Sequence, residues 1–304
     1  MEHYYSLNRY LKETFGCKVY KLALDGGFTC PNRDGSKGTG GCIFCSDSGS
    51  GDFSVPVGGG MDTAIEKAKQ VLARKHTEGR YIAYFQNHTN TYGPVEKLDG
   101  LFRSALRHPE IAALSVGTRP DCLPPEVLDL LEELNDIKPV FVELGLQTIH
   151  EDTARLINRC YSLKEYDDAV RRLQERRLNT VVHMILGLPG EDGDRMVRTA
   201  EYIGRSGVQG IKFQLLHVLE HTPLARMYRE GAFEVLSLEE YTRILEECLM
   251  RIPPDMVVHR ITGDGAKKDL LAPLWSGNKK AVLNHINSCL ERDGIRQGAR
   301  FIPE

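Results

Sequence analysis

Cys30, Cys42 and Cys45 lie in one glycine-rich loop, TCPNRDGSKGTGGCIFC, with eleven residues between the first two and Ile43 and Phe44 between the last two. A C-x-x-C pair chelates one inorganic centre, and the Gly-rich arm ahead of it is flexible enough to bring Cys30 round as a third ligand. Three thiolates on an iron–sulfur cube leave one iron open to a ligand that is not protein. An open coordination position marks a metal centre that does chemistry; structural sites are closed. A structural zinc is the alternative, and it needs a fourth protein ligand at tetrahedral geometry. No fourth cysteine lies nearby, and the closest histidines, His76 and His88, lie beyond a helix-length segment. The remaining cysteines, Cys17, Cys122, Cys160, Cys248 and Cys289, are scattered singly and read as small buried hydrophobes.

The elements that must carry this loop follow from the rest of the pattern. Strand-like apolar runs occur at 18–24, 81–85, 111–117, 139–146, 180–187 and 210–216, and helix-like stretches at 61–76, 95–107, 124–134, 163–177 and 192–206. Alternating strands and helices with near-continuous apolar strands imply a parallel sheet covered by helices. Polar or special residues follow every strand: the cysteine loop, then Gln86–Thr91, Thr118-Arg119, Gln147, Gly187–Glu191 and His217. A doubly wound sheet would use mainly one switch point and leave the other loops idle. In a barrel all of these ends converge on one face. The expectation is therefore an α/β fold, a partial TIM barrel of (β/α)6 type over residues 1–216 with the cluster loop at 26–46. A C-terminal α/β extension over 217–304 packs on it as a candidate substrate-binding region.

Composition is that of an ordinary globular protein, 41% hydrophobic and 27% charged over 304 residues with pI near 6.4. No apolar run reaches membrane-spanning length, and MEHYYSLNRYLKETFG has neither the basic start nor the apolar core of a secretory signal. The expected place is the cytoplasm, where thiols stay reduced and eight cysteines argue for ligation or catalysis rather than disulfides. Net charge is −3, which gives no global basic field for nucleic acid. Residues 251–304, however, hold nine Lys/Arg against six Asp/Glu. A polyanion could use a local basic face of that kind, and a solvated mixed-charge surface explains it equally well.

The strings DGGFTCPNRDG (25–35), GGCIFC (40–45), FQNHTNTYGP (85–94), VGTRPD (116–121), ELGLQT (143–148), GLPGE (187–191) and HRITGDG (259–265) run over nearly the whole chain. They resemble the radical S-adenosylmethionine (SAM) enzymes, in the branch of the elongator catalytic subunit and oxygen-independent coproporphyrinogen dehydrogenase, and more narrowly its bacterial YtqA/YhcC-type subgroup. The resemblance implies two cofactors, a [4Fe–4S] cluster on Cys30, Cys42 and Cys45 and SAM chelated to the open iron. It also implies reductive cleavage of SAM to methionine and a 5′-deoxyadenosyl radical that abstracts hydrogen from substrate. The protein's part in such chemistry is ligation, orientation and exclusion of side reactions.

By family position, Phe44 falls near the adenine, and Thr89 and Asn90 fall where the family presents polar groups to SAM's amino group. FQNHTN lacks the family's glycine pair and carboxylate. Gln147 and Arg159 match a glutamine and an arginine that this branch uses around SAM. His183 stands where a relative has an acidic SAM contact, and a core histidine is the alternative. Arg119 could pair with a carboxylate in a bidentate fork, which suits SAM's methionyl end. Trp275 beside Lys279 and Lys280 reads either as a base-stacking platform or as packing of the tail on the barrel.

The subgroup resemblance implies tRNA as substrate, at the wobble uridine. The reaction would lie in the 5-aminomethyl-2-thiouridine pathway and start from the carboxymethylaminomethyl intermediate, with flavodoxin or ferredoxin as reducing partner and no membrane. The elongator relative carries an acetyltransferase domain for which 304 residues leave no room, so acetyl-CoA-dependent carboxymethylation is not expected. A radical enzyme acting on a small metabolite such as a tetrapyrrole, or a non-catalytic metal-binding module, are the competing readings.

Overall fold

The six apolar runs become parallel strands, the VVHR run at 257–260, which reads as a seventh strand, joins them at one edge, and a two-residue strand that the pattern did not announce lies at the other. The computed structural model describes residues 2–47, 49, 54–73, 79–263 and 267–303. Its main sheet is built from β1 (Val19–Asp25), β2 (Val55–Pro56), β3 (Arg80–Phe85), β4 (Ile111–Thr118), β5 (Val140–Gln147), β6 (Asn179–Leu186) and β7 (Gly210–Leu215). After the two-residue β8 (Val218–Leu219), β9 (Val257–Arg260) completes the sheet. The order is β2-β1-β3-β4-β5-β6-β7-β9 with every neighbouring pair parallel, so the sheet curls into a partial barrel whose edges are β2 and β9. At the β9 edge the N-terminal segment adds a further pairing, Val258 N donating to Tyr5 O at 2.8 Å. β10 (Leu270–Ala272) pairs antiparallel with β8 in a separate two-stranded ribbon.

Helices cover the outside. α1 (Leu7–Phe15) precedes the barrel, and α2 (Met61–Ala73), α3 (Val95–Arg107), α4 (Pro125–Ile137), α5 (Glu151–Leu156), α6 (Leu163–Glu175) and α7 (Gly193–Arg205) connect its strands. α8 (Pro223–Arg229), α9 (Leu238–Met250) and α10 (Lys279–Arg292) follow β7. Their starts are written locally. Ser162 and Glu165 close a capping box at α6, and Ser237 and Glu240 do the same at α9. The apolar stripe of α4 is the expected one, Val127, Leu128, Leu130, Leu131 and Leu134 all buried, but the helix runs on to Ile137. α2 is described to Ala73, so the expected stretch 74–76 lies outside the described residues, as does Asp264 of the HRITGDG string.

β4 is buried along all eight residues, sandwiched between helices and barrel interior. The outer face of the sheet, with α2–α7, forms the main apolar core, which includes Leu22, Phe85, Phe102, Leu131, Tyr166 and Phe213. The inner face differs. Barrel interiors are ordinarily filled by branched aliphatic side chains. Here the strands place Lys21, Tyr84, Ser115, Glu143, His183 and Lys212 together by hydrogen bonds and ion pairs. In the tail, Trp275 donates its indole N–H to Leu236 O at 3.0 Å and its ring lies tilted against Tyr241 at 5.8 Å, so these two contacts join parts of the extension to one another.

Candidate functional site: a three-cysteine cavity at the strand ends

The cysteine loop leaves the C-terminal end of β1 and folds over the mouth of the barrel. Two asparagines stitch it down. Asn32, fully buried, donates from Nδ2 to Asn158 O at 2.5 Å and toward Cys42 Sγ at 3.7 Å. Asn158 returns two bonds, Nδ2 to Thr39 O at 3.2 Å and to Gly41 O at 2.8 Å. Gly41 takes φ +78°, and a Cβ there would stand 2.9 Å from Arg33 Nε, so glycine is required both for backbone hand and for room. Cys45 N donates to Cys42 O at 3.0 Å, closing the C-x-x-C turn, and Leu224 N to Ile43 O at 3.0 Å anchors that turn to α8.

All three thiols line one cavity of about 240 Å³. The Cys45 thiol hydrogen-bonds Cys42 and, with Arg119, Asn32 and Arg33, draws the Cys42 thiol down to about 7 against the opposing effect of burial. The same pairing, with burial, holds Cys45 well above the ordinary thiol value. Arg119 Nη1 lies 3.9 Å from Cys30 Sγ. This donor set fits a polynuclear centre better than one ion. Four ligands at about 2.3 Å from a zinc stand about 4 Å apart. Among the described residues, the three cysteines are not among the groups whose ligand atoms gather within 4.8 Å. They share a cavity wall with cations beside it, as thiolates of an iron–sulfur cube require.

The other strand-end residues are placed as follows. Phe44 is half-buried, packs against the small cluster that contains Ile157, Leu188 and Leu216, and lines the cavity. Gln147, held at φ +66° at the end of β5, lines it too and accepts from Tyr161 OH at 3.1 Å. Thr89 lines it from a buried position. Asn90 does not. It is fully buried, and its Nδ2 donates to Asn87 O and Gly117 O, both at 3.0 Å, so it braces the β3 and β4 ends instead of facing the cavity.

Arg119 lines the cavity, but its fork is already taken. Nε and Nη2 grip Asp121 Oδ1 and Oδ2 at 2.9 Å each, and Nη1 donates to Arg159 O at 3.1 Å. The expected carboxylate fork therefore closes on a neighbour two residues away, and Arg119 offers the cavity positive charge rather than a free bidentate clamp. Arg159 is fully buried and donates to Tyr161 O, Leu146 O and Thr148 O at 3.1, 3.0 and 2.5 Å. It ties the end of β5 to the turn after α5, and the guanidinium carbons of Arg119 and Arg159 lie 4.8 and 4.6 Å from the ring centroid of Tyr161.

His183 is neither a plain core histidine nor a group at the mouth. Its Nε2 meets Glu143 Oε2 at 2.7 Å and its Nδ1 meets Gln214 at 3.1 Å. Burial and the nearby Lys212 push its pKa down to about 4 despite Glu143. Glu143 is the residue that sequence reading passed over. It accepts from Lys21 at 2.5 Å, from Ser115 Oγ at 2.7 Å and from Lys212, all below the cavity mouth. Burial opposes its charge, yet Lys21, Lys212 and His183 hold its pKa well below the usual carboxylate value. The available signal was a charged residue at the middle of each of three otherwise apolar strands.

A parallel partial barrel with three loop cysteines over its C-terminal mouth defines the class, and the comparisons name it. The description "Radical SAM superfamily" matches residues 33–203 and the Radical SAM C-terminal domain matches residues 208–292. The chain belongs to the radical SAM superfamily, in its Elp3-like branch, whose cofactors are a [4Fe–4S] cluster and SAM. It is 47% identical to protein YtqA of Bacillus subtilis (strain 168) over 300 residues, covering 99% of this chain and 93% of that one. It is 26% identical to the tRNA uridine(34) acetyltransferase of Dehalococcoides mccartyi (strain CBDB1) over 188 residues, 60% of this chain and 37% of that one. The fold is shared with the archaeal Elp3 of Methanocaldococcus infernus, at TM-score 0.69 and 17% identity, over 92% of this chain and 64% of that one. Among the described residues, no helix is long and apolar enough to cross a membrane.

Proposed function

We propose that this radical SAM enzyme modifies the side chain of the tRNA wobble uridine, acting on the carboxymethylaminomethyl intermediate of the 5-aminomethyl-2-thiouridine pathway. The observation that carries the reaction class is the convergence of Cys30, Cys42 and Cys45 with Phe44, Thr89, Arg119, Gln147 and Arg159 on one cavity. The likeness to a tRNA uridine(34) acetyltransferase supports the choice of substrate.

In this reading Cys30, Cys42 and Cys45 hold the cluster and Asn32 donates to the Cys42 sulfur. When bound, the cluster and SAM supply a 5′-deoxyadenosyl radical after one-electron reduction by a flavodoxin or ferredoxin in the cytoplasm. Phe44 flanks the adenine. Thr89 and Gln147 offer polar groups to the methionyl end, and Arg119 offsets negative charge at the Cys30 side of the cavity. Arg159 positions Gln147 and Tyr161 rather than touching SAM. The part of the chain after β7 closes one side of the cavity through Leu216, His217 and Leu219, where substrate enters. Asn90 and Asp264 take no part in this account.

The test is anaerobic reconstitution with iron, sulfide, SAM and dithionite, offered bulk tRNA from cells that lack this enzyme. Deoxyadenosine release accompanied by loss of the carboxymethylaminomethyl nucleoside, read by mass spectrometry, is the expected result. Deoxyadenosine release that leaves every tRNA nucleoside unchanged, while a small-molecule extract stimulates it, would sink the substrate assignment.

A further inference from the structure

We infer that Gln214 determines which substrate fits the cavity: its side-chain oxygen accepts an N–H of the substrate, and Glu143 and His183 behind it hold the amide in that orientation. That the N–H belongs to the side-chain amine rests on the wobble-uridine reading. The orientation of the amide does not.

That orientation follows from a chain of hydrogen bonds that starts inside the barrel. Glu143 takes two donors on each oxygen, Lys21 and Ser115 on Oε1, His183 and Lys212 on Oε2. Lys212 donates there whether or not it carries charge, and a carboxylate only accepts. The ring nitrogen that meets Glu143, Nε2 at 2.7 Å, therefore carries the hydrogen. Burial, together with Lys212, holds the His183 pKa down to about 4, so the ring is neutral near pH 7 and its Nδ1 is an acceptor. Of the two ends of the Gln214 amide, the nitrogen alone can serve an acceptor, and Nε2 lies 3.1 Å from Nδ1. The amide oxygen is thereby turned to the other side. Among the described residues no group meets that oxygen, and Gln214 is half-buried at the cavity wall.

The interior leaves room for a substrate to reach it. Lys212 and Gln214 are two residues apart on β7 and share its inner face, so Gln214 stands one step nearer the mouth. Gly145, the register partner of His183 on β5, puts no side chain beside the ring, and both line the cavity. A Cβ there would stand 2.7 Å from Gln147 Nε2. Gln147 accepts from Tyr161 OH at its own oxygen, which leaves its amide nitrogen as the donor. The cavity thus holds two glutamines of opposite polarity, one fixed to accept and one to donate.

A site built to accept an N–H rejects an analogue without one, because its oxygen is then left unpaired. The carboxymethylaminomethyl side chain has one donor, the secondary amine between its two methylene groups. The uracil N3–H points away from the side chain and does not enter with it. A hydrogen bond from the amine to Gln214 fixes the depth of both methylene groups below the cysteines.

The test uses the reconstituted holoenzyme with two tRNAs, one carrying the native side chain and one whose side-chain amine is replaced by an ether oxygen. The native RNA is followed as kcat/KM and the ether RNA as an inhibition constant. Gln214→Leu should lower kcat/KM on the native RNA about tenfold to a hundredfold, the worth of one hydrogen bond to a charged group, and leave inhibition by the ether RNA as it was. Iron content should stay at the wild-type level, and Gln214→Met is the second variant if leucine loads less. His183→Met should weaken the native RNA alone in the same way, and combined with Gln214→Leu it should add nothing further. In parallel, millimolar N-methylglycine, but not its ether counterpart methoxyacetate, should slow amide hydrogen exchange in β6 and β7 of the wild-type protein and not of Gln214→Leu. If no tRNA reacts and N-methylglycine still protects these strands, the wobble-uridine reading fails and the role of Gln214 stands. Equal weakening of both RNAs by Gln214→Leu, no change in either, or a His183→Met loss that multiplies the Gln214→Leu loss overturns the inference. Where no tRNA reacts, equal protection by the two small molecules, or by neither, overturns it as well.

Discussion

Asn32 and Asn158 hold each other across 126 residues of sequence, Asn32 donating to the Asn158 carbonyl at 2.5 Å while the Asn158 amide binds the carbonyls of Thr39 and Gly41. One residue sits inside the cysteine loop and the other on the turn after α5. The pair therefore ties the loop to the far side of the barrel mouth through hydrogen bonds to backbone carbonyls, which help organise the loop for ligation. Preorganisation of this kind reduces the ordering cost that binding must otherwise overcome.

Asn158 stands at φ +55°, a hand that asparagine tolerates and most residues do not. Asn158→Gly keeps the backbone and loses the two side-chain donors, at a cost of about 1–3 kcal/mol. Asn158→Ala loses both and should be about 1 kcal/mol worse. Both variants should bind less iron and sulfide per chain after reconstitution, in that order. Equal iron loading of wild type and Asn158→Ala would show that the loop needs no such brace.

The cysteines give a sharper division. Cys30→Ala, Cys42→Ala and Cys45→Ala should each lose the visible charge-transfer absorbance of the cluster and stop SAM cleavage. Cys122→Ala and Cys160→Ser should retain both. Cys122 is buried with its thiol pushed up to about 12, chiefly by burial, and Cys160 hydrogen-bonds Asn158 Oδ1 at 3.2 Å. Iron content separates these groups even where activity cannot be measured.

What the sequence made legible depended on whether the signal was local. The six long strands and the cysteine spacing are local patterns, and the structure has them where the pattern puts them. Asn32 is different: nothing in PNRD marks it as a bridge to residue 158, because its partner is set by tertiary approach. Arg119 misled for a related reason. A guanidinium at a strand end suits a ligand carboxylate, but Asp121 lies two residues on and closes the fork first. β2 is a two-residue edge strand whose pairing comes from the sheet it joins, and propensity alone leaves such a segment undecided, whereas the apolar start of VVHRITGDG marks β9. The polar interior was visible in principle, since Lys21, Glu143 and Lys212 each interrupt an apolar strand. Only the curl of the sheet shows that the three interruptions meet.

That meeting has a pH signature. His183 has a pKa of about 4 when folded, against an ordinary value of 6.5, because burial and Lys212 disfavour its charge. The unfolded chain binds this proton more readily, so stability is fully present above pH 6.5 and is lost as pH falls toward 4. The loss is about 3 kcal/mol at pH 4 and below. Glu143 acts in the same direction at lower pH. Its folded pKa lies well below the carboxylate value, so its stabilisation is present above about pH 4 and fades as pH falls further. His183→Gln should flatten the upper part of the profile and leave the lower part. Chemical denaturation between pH 7 and 4 measures this, and a slope unchanged by the substitution would remove His183 from the account.

Arg159 distinguishes a positioning group from a SAM contact. Its guanidinium reaches three carbonyls at once, those of Leu146, Thr148 and Tyr161, from a fully buried place. A lysine keeps the charge but presents one ammonium on a flexible stem, so it cannot hold the same three groups in one plane. Arg159→Lys should therefore cost about 2–4 kcal/mol in stability through the carbonyls left unpaired. By letting Gln147 and Tyr161 relax, it should raise the apparent KM for SAM while iron content stays at the wild-type level. A direct contact predicts another pattern: SAM affinity would fall with little change in stability, since the β5 turn would be held by other bonds. Measuring unfolding free energy and SAM binding on the same variant decides between them, and a stable Arg159→Lys protein with weak SAM binding would return Arg159 to the cofactor's own ligands.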